Sequence, residues 1–136
     1  MSTAFSKEEK AAIKATAAEA KAAKEGADLS AACDAAIAGM TGLDKDLAEI
    51  IHGLVTKNTD LRPKTYYGMP AYANADGKVI LFFQNASKFK VRYATLGFQP
   101  DANLDEGNFW ATGFAVTKLD DADQKQILAL IGKAVS

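Results

Sequence analysis

The sequence predicts a single α+β domain: N-terminal helices, an antiparallel sheet of four or more strands, then a C-terminal helix. Three observations predict it. A capping box and an alanine-rich stretch come first, and apolar residues then recur at helical spacing from Leu29 to Leu54. From Lys64 to Lys118 the pattern changes to alternation punctuated by turn signals. Helical spacing returns after Asp120, where aspartates stand ready to cap. Segregated elements of this kind place the helices on one face of the sheet and leave the other face partly open. At 136 residues the chain fits one domain, 1–136, with a helical part (1–60), a sheet (64–118) and a final helix (120–136).

The first helix is expected from Ser6 to about Glu25. Ser6 and Glu9 have capping-box spacing, and Gly26 is a natural stop. Alanine supplies its propensity but little burial, and Ile13 is its one large aliphatic side chain. It should therefore be loosely held. A second helix covers Leu29 to Met40, with Leu29, Cys33, Ala36, Ile37 and Met40 on one face. A third starts after Thr41 and ends near Lys57. Its apolar stripe is Leu43, Leu47, Ile50, Ile51 and Leu54.

Thr65 to Ala73 reads as extended chain interrupted at Gly68-Met69-Pro70, and Asp76-Gly77 as a turn. Lys78 to Gln84 is apolar on both faces, which suits an interior strand. After a turn at Asn85-Ala86-Ser87, the residues Phe89, Val91 and Tyr93 alternate with Lys88, Lys90 and Arg92. That pattern predicts a half-buried strand with three cations on one face. A polar loop follows, Gln99 to Gly107. Another strand is expected over Asn108 to Lys118, with Trp110 and Phe114 on one face and Ala111, Gly113 and Ala115 on the other. Asp120 or Asp121 caps the last helix, which turns Ile127, Leu128, Ile131 and Val135 inward.

Four ordered motifs, YYGMPAY (66–72), GKVILFFQ (77–84), KFKVRYATLGF (88–98) and NLDEGNFWATGFAV (103–116), resemble the YdhG-like family of proteins of unknown function. The motifs lie within residues 66–116, and the resemblance extends into the flanking helices. The chain departs from the family pattern at Ala111, where proline is expected, and at Gly113, where alanine is expected. The resemblance implies a frataxin-like α+β fold. Some relatives are iron-delivery proteins for cofactor assembly, so iron is the cofactor it implies. Frataxins carry an acidic ridge on their first helix; here that helix holds five lysines against four glutamates.

Composition narrows the function. Net charge is −1, which argues against nucleic acid as the partner but leaves room for a local basic stripe. One cysteine, Cys33, allows neither an intrachain disulfide nor a Cys-rich zinc site. The first residues lack the apolar run of a signal peptide, and no apolar stretch approaches membrane-spanning length, so a cytoplasmic location is expected.

The main candidate site is the row Lys88, Lys90, Arg92. Three cations on one sheet face repel one another unless an anionic ligand or an acidic protein patch offsets them; otherwise they protect a solvated edge strand. Tyr66, Tyr67, Met69 and Tyr72 flank the Gly-Met-Pro bend and are candidates for lining a pocket or packing a corner. Trp110 is either sheet core or part of a partner surface. Asp101, Asp105 and Glu106 are weak candidates for a hard cation. Asp120, Asp121 and Asp123 read as charges favourable to a helix N-terminus. Cys33 reads as a buried small hydrophobe, and His52 as exposed; the faces of their helices argue against a Cys33–His52 dyad. No catalytic set stands out.

The leading expectation is a small binding protein that presents an open basic and aromatic sheet face. The alternatives are an enzyme acting on a small anionic substrate near the Tyr66–Tyr72 corner, and an interaction domain that forms a homodimer through the sheet.

Overall fold

The computed structural model describes residues 7–24 and 29–136, and within 7–24 the side chains of 7–14 and 17. Three helices come first: α1 (Lys7–Lys24), α2 (Leu29–Ala38) and α3 (Gly42–Asn58). Strands β1 (Arg62–Tyr66), β2 (Met69–Ala73) and β3 (Val79–Gln84) follow, then a short helix α4 (Ala86–Phe89). Strands β4 (Ala94–Phe98) and β5 (Gly113–Val116) lead to α5 (Asp121–Ala134). The five strands form one antiparallel meander in the order β1-β2-β3-β4-β5. The α+β expectation holds.

Each helix of the layer buries part of its predicted stripe. Cys33, Ile37 and Met40 come from around α2, Leu47, Ile51 and Val55 from α3, and Ile127 and Ile131 from α5. They meet Tyr72, Leu81, Phe83, Leu96, Phe98 and Val116, which strand alternation places on one face of the sheet. A β-bulge at Tyr72/Ala73 lets the adjacent residues Ile80 and Leu81 both reach that core. Leu43, expected in the stripe of α3, instead faces solvent at 57% exposure, and Val135 is also exposed. The α5 cap forms as a reciprocal pair: Asp120 accepts from the Asp123 N–H, and Asp123 accepts from the Asp120 N–H.

Three stretches differ from expectation. The Gly68-Met69-Pro70 interruption is a hairpin: Tyr67 and Gly68, both at positive φ, form a two-residue turn between β1 and β2. Pro70 is tolerated inside the sheet because the β2–β3 ladder begins only at Ala71. The predicted strand through Lys88, Lys90 and Arg92 does not form. Asp44, buried at the start of α3, accepts hydrogen bonds from the Ala86 and Ser87 N–H groups at 3.0 and 3.1 Å, which holds that stretch as α4. Lys90 then ends the turn at φ 55°, and extended pairing resumes at Ala94. Finally, the strand expected over Asn108–Lys118 is confined to Gly113–Val116. Asn103 ties the preceding loop to the end of α5 through Ala134 O and Ser136 O, and Ala102 and Leu104 anchor it in the core.

The capping residue Ser6 and the stop at Glu25-Gly26 lie outside the described residues. α1 touches β1 and α2, and Glu8 pairs with Lys90 at 3.7 Å. Its one large aliphatic side chain, Ile13, is 48% exposed. With so little apolar area buried, the α1 amides are expected to exchange faster than those of α2, α3 and α5. Protection of α1 equal to that of α3 in a native-state hydrogen-exchange experiment overturns this.

Candidate binding face

The face of the sheet turned away from the α2–α3–α5 layer follows from the register. Cross-strand pairing sets Lys64, Ala71, Phe82, Gly97 and Gly113 in one row. The pairs Tyr66–Met69 and Gln84–Thr95–Ala115 lie beside it, and Arg62 opposes Ala73. Ala71 and Gly97, in the middle of this row, are small and buried. The Phe82 ring lies over Gly97, where an added Cβ would stand 2.3 Å from the ring, so only glycine leaves the ring room. Tyr66 contacts Phe82 (5.6 Å between centroids) and meets Tyr67 edge-on at 4.7 Å. The result is an aromatic platform bordered by Lys64 and exposed Arg62, with no carboxylate on the strands of this face.

The predicted cations are placed differently. Lys88 sits in α4 over the Phe89 ring, Lys90 pairs with Glu8, and the Arg92 guanidinium lies 5.2 Å from the centre of the Tyr93 ring. They do not share a strand face, so the alternating cationic row is corrected to three separately engaged side chains. The tyrosines do not line one pocket either. Tyr66 lies on the outer face and Tyr67 at the turn is 43% exposed, whereas Tyr72 is fully buried on the helix side and Met69 is buried. Trp110 lies in the 99–112 loop at 39% exposure, beside Phe109 at 89%. It does not share a strand with Phe114, which packs edge-on against Phe98.

The acidic loop residues are engaged apart: Asp101 with Lys78 at 4.0 Å and Glu106 with Lys133 at 3.6 Å. Among the described residues, no three of His, Cys, Asp and Glu come together to hold a metal ion.

Cys33 is buried as expected, whereas His52 is half-buried and not exposed. Their helices do converge, with Tyr72 between them. The Tyr72 hydroxyl is 3.0 Å from His52 Nδ1 and is hydrogen-bonded to Cys33, while His52 Nε2 points to Asp34 at 3.8 Å. Burial pushes the Cys33 thiol up to about 11, and its hydrogen bonds with Tyr72 and the Ala71 backbone offset only part of that. A thiol held neutral is a poor nucleophile, so the chain acts as an internal clasp.

Sequence reasoning missed Arg62, Lys64 and Phe82 as surface groups. Their signal was present: ahead of the expected start at Thr65, Arg62 and Lys64 already keep the alternation that Tyr66 continues. Among the described residues, no helix is long and apolar enough to cross a membrane. Comparison with family models, curated proteins and solved structures finds no match to this chain.

Proposed function

We propose that this chain is a binding protein whose outer sheet face receives an acidic protein segment. One observation carries the reading: the face combines the Tyr66–Tyr67–Phe82 platform with Arg62 and Lys64 and has no carboxylate on its strands. Aromatic rings on a pleated surface offer a broad, flat contact rather than a closed cavity, which suits a macromolecular partner. Arg62 supplies a fork for carboxylates, and the Lys64 stem covers apolar surface while its ammonium stays in water. The cations Lys88, Lys90 and Arg92 lie in and just after α4 and are not part of the site.

The test uses a fluorescent peptide of alternating glutamate and phenylalanine titrated against the full chain. The double variant Arg62→Gln/Lys64→Gln is expected to weaken binding at least about tenfold, equivalent to about 1.4 kcal/mol. Tyr67→Ala should weaken it as well, and added salt should weaken the wild type more than the double variant. Affinity unmoved by both the substitutions and salt overturns the proposal.

A further inference from the structure

Among the described residues β5 is an outer edge of the sheet and pairs on one side only, with β4. Its sequence, Gly-Phe-Ala-Val, contains none of the charges or prolines that commonly protect an edge, and its short length is its main safeguard. Gly113 and Ala115 are exposed. Beside the edge, between β5 and α5, runs a groove of about 610 Å³ floored by Phe114, Val116, Leu119, Ile127 and Leu130. Just before the strand, Phe109 stands 89% exposed. A free edge, an apolar groove and an unburied phenylalanine therefore lie along one border of the molecule.

We propose that this border is a two-fold interface with a second copy of the chain, in which β5 pairs antiparallel with β5. Charge selects this occupant. Around the groove stand Glu106, Asp123, Lys118 and Lys133, two of each sign, with Glu106 paired to Lys133 at 3.6 Å, so the groove carries no net charge to favour a strongly acidic or strongly basic partner. A second copy needs no such excess. The acidic pair Asp105-Glu106 precedes β5 and Lys118 follows it. Antiparallel self-pairing carries the Lys118 end of each strand toward the Asp105 end of the other, and the two-fold axis makes the contact twice. Asp123 is already occupied in the cap with Asp120. The same arrangement brings Phe109 of each copy toward the Leu119 end of the other copy's groove. The paired edges join two five-stranded sheets into one. This border is separate from the proposed acidic-segment site, where Arg62, Lys64 and Tyr67 lie on and beside the opposite edge strand, β1.

Sedimentation velocity of the full chain from about 1 µM to about 1 mM spans the range expected for an interface built on so short an edge. A monomer–dimer equilibrium is expected within it. Lys118→Glu should raise the dissociation constant at least about tenfold, since each substitution is felt twice. The double variant Asp105→Lys/Lys118→Glu should return it to within about threefold of wild type. Phe109→Ser, at a position too exposed to affect folding, should weaken the dimer, whereas Arg62→Gln/Lys64→Gln should leave it unchanged. A chain that stays monomeric throughout overturns the proposal. So does a dimer indifferent to Lys118→Glu and Phe109→Ser, or the absence of charge-swap recovery.

Discussion

Replacing Tyr72 by alanine is expected to lower the unfolding free energy by about 3–5 kcal/mol, while replacing it by phenylalanine lowers it by only about 1 kcal/mol. The two substitutions separate two contributions of one side chain. The ring is fully buried between the sheet and the helices and packs at 5.7 Å from His52, so its loss leaves a cavity in the middle of the core. The hydroxyl joins Cys33 on α2 to His52 on α3. Without it, water reaches the half-buried His52, and Cys33 keeps its contact with the Ala71 backbone, so the loss is modest. Urea denaturation of both variants measures the difference. A phenylalanine variant as damaged as the alanine one means the hydroxyl clasp dominates, and an alanine variant within about 1 kcal/mol of wild type means the ring is not part of the core.

The legible parts of this fold are those where burial follows a local period. Stripes such as Cys33-Ile37-Met40 and Leu47-Ile51 are buried as spaced, because each helix meets a continuous apolar layer. The apolar run of β3 likewise marked an interior strand. The site was less legible because its geometry depends on contacts distant in sequence. Alternation at 88–93 is a real strand signal, but Asp44, 42 residues from Ala86, supplies the hydrogen bonds that turn the chain into a helix there. The tyrosine corner fails by parity. In one continuous strand Tyr66 and Tyr72 fall on the same face, but a two-residue turn makes Tyr66 the partner of Met69 and sends Tyr72 to the opposite side. A tyrosine at φ 50° is an unfavourable turn residue, so Gly68 announced an interruption but not a two-residue hairpin. Trp110 illustrates a third limit, since apolar character alone does not separate a core strand from an exposed loop.

Asp44→Ala is expected to cost about 2–3 kcal/mol at pH 7, because it strips two N–H groups of their charged acceptor. Burial raises the Asp44 carboxyl, but the Ser87 hydroxyl and the Ser87 and Ala86 N–H groups outweigh it and hold the group below its usual range. A folded-state value below the unfolded one makes Asp44 a stabilising group above the unfolded value, near 3.8, and that contribution disappears as pH falls through the folded value. The stability gap between wild type and Asp44→Ala should therefore stay constant from pH 7 to about pH 5 and shrink below pH 4. Urea titrations across this range test it, and a gap that persists undiminished at pH 2 contradicts the assignment. The variant also tests why the cationic row does not form. With the Ala86 and Ser87 amides released, the local preference of residues 88–93 for extended structure is no longer opposed by Asp44. The backbone chemical shift of Lys88 should then move from a helical toward an extended value, and those of Lys90 and Arg92 away from their turn values, while those of β3 stay fixed. If the turn survives intact without Asp44, the α4 conformation is intrinsic to the segment, and a tertiary contact is not what overrides the strand pattern.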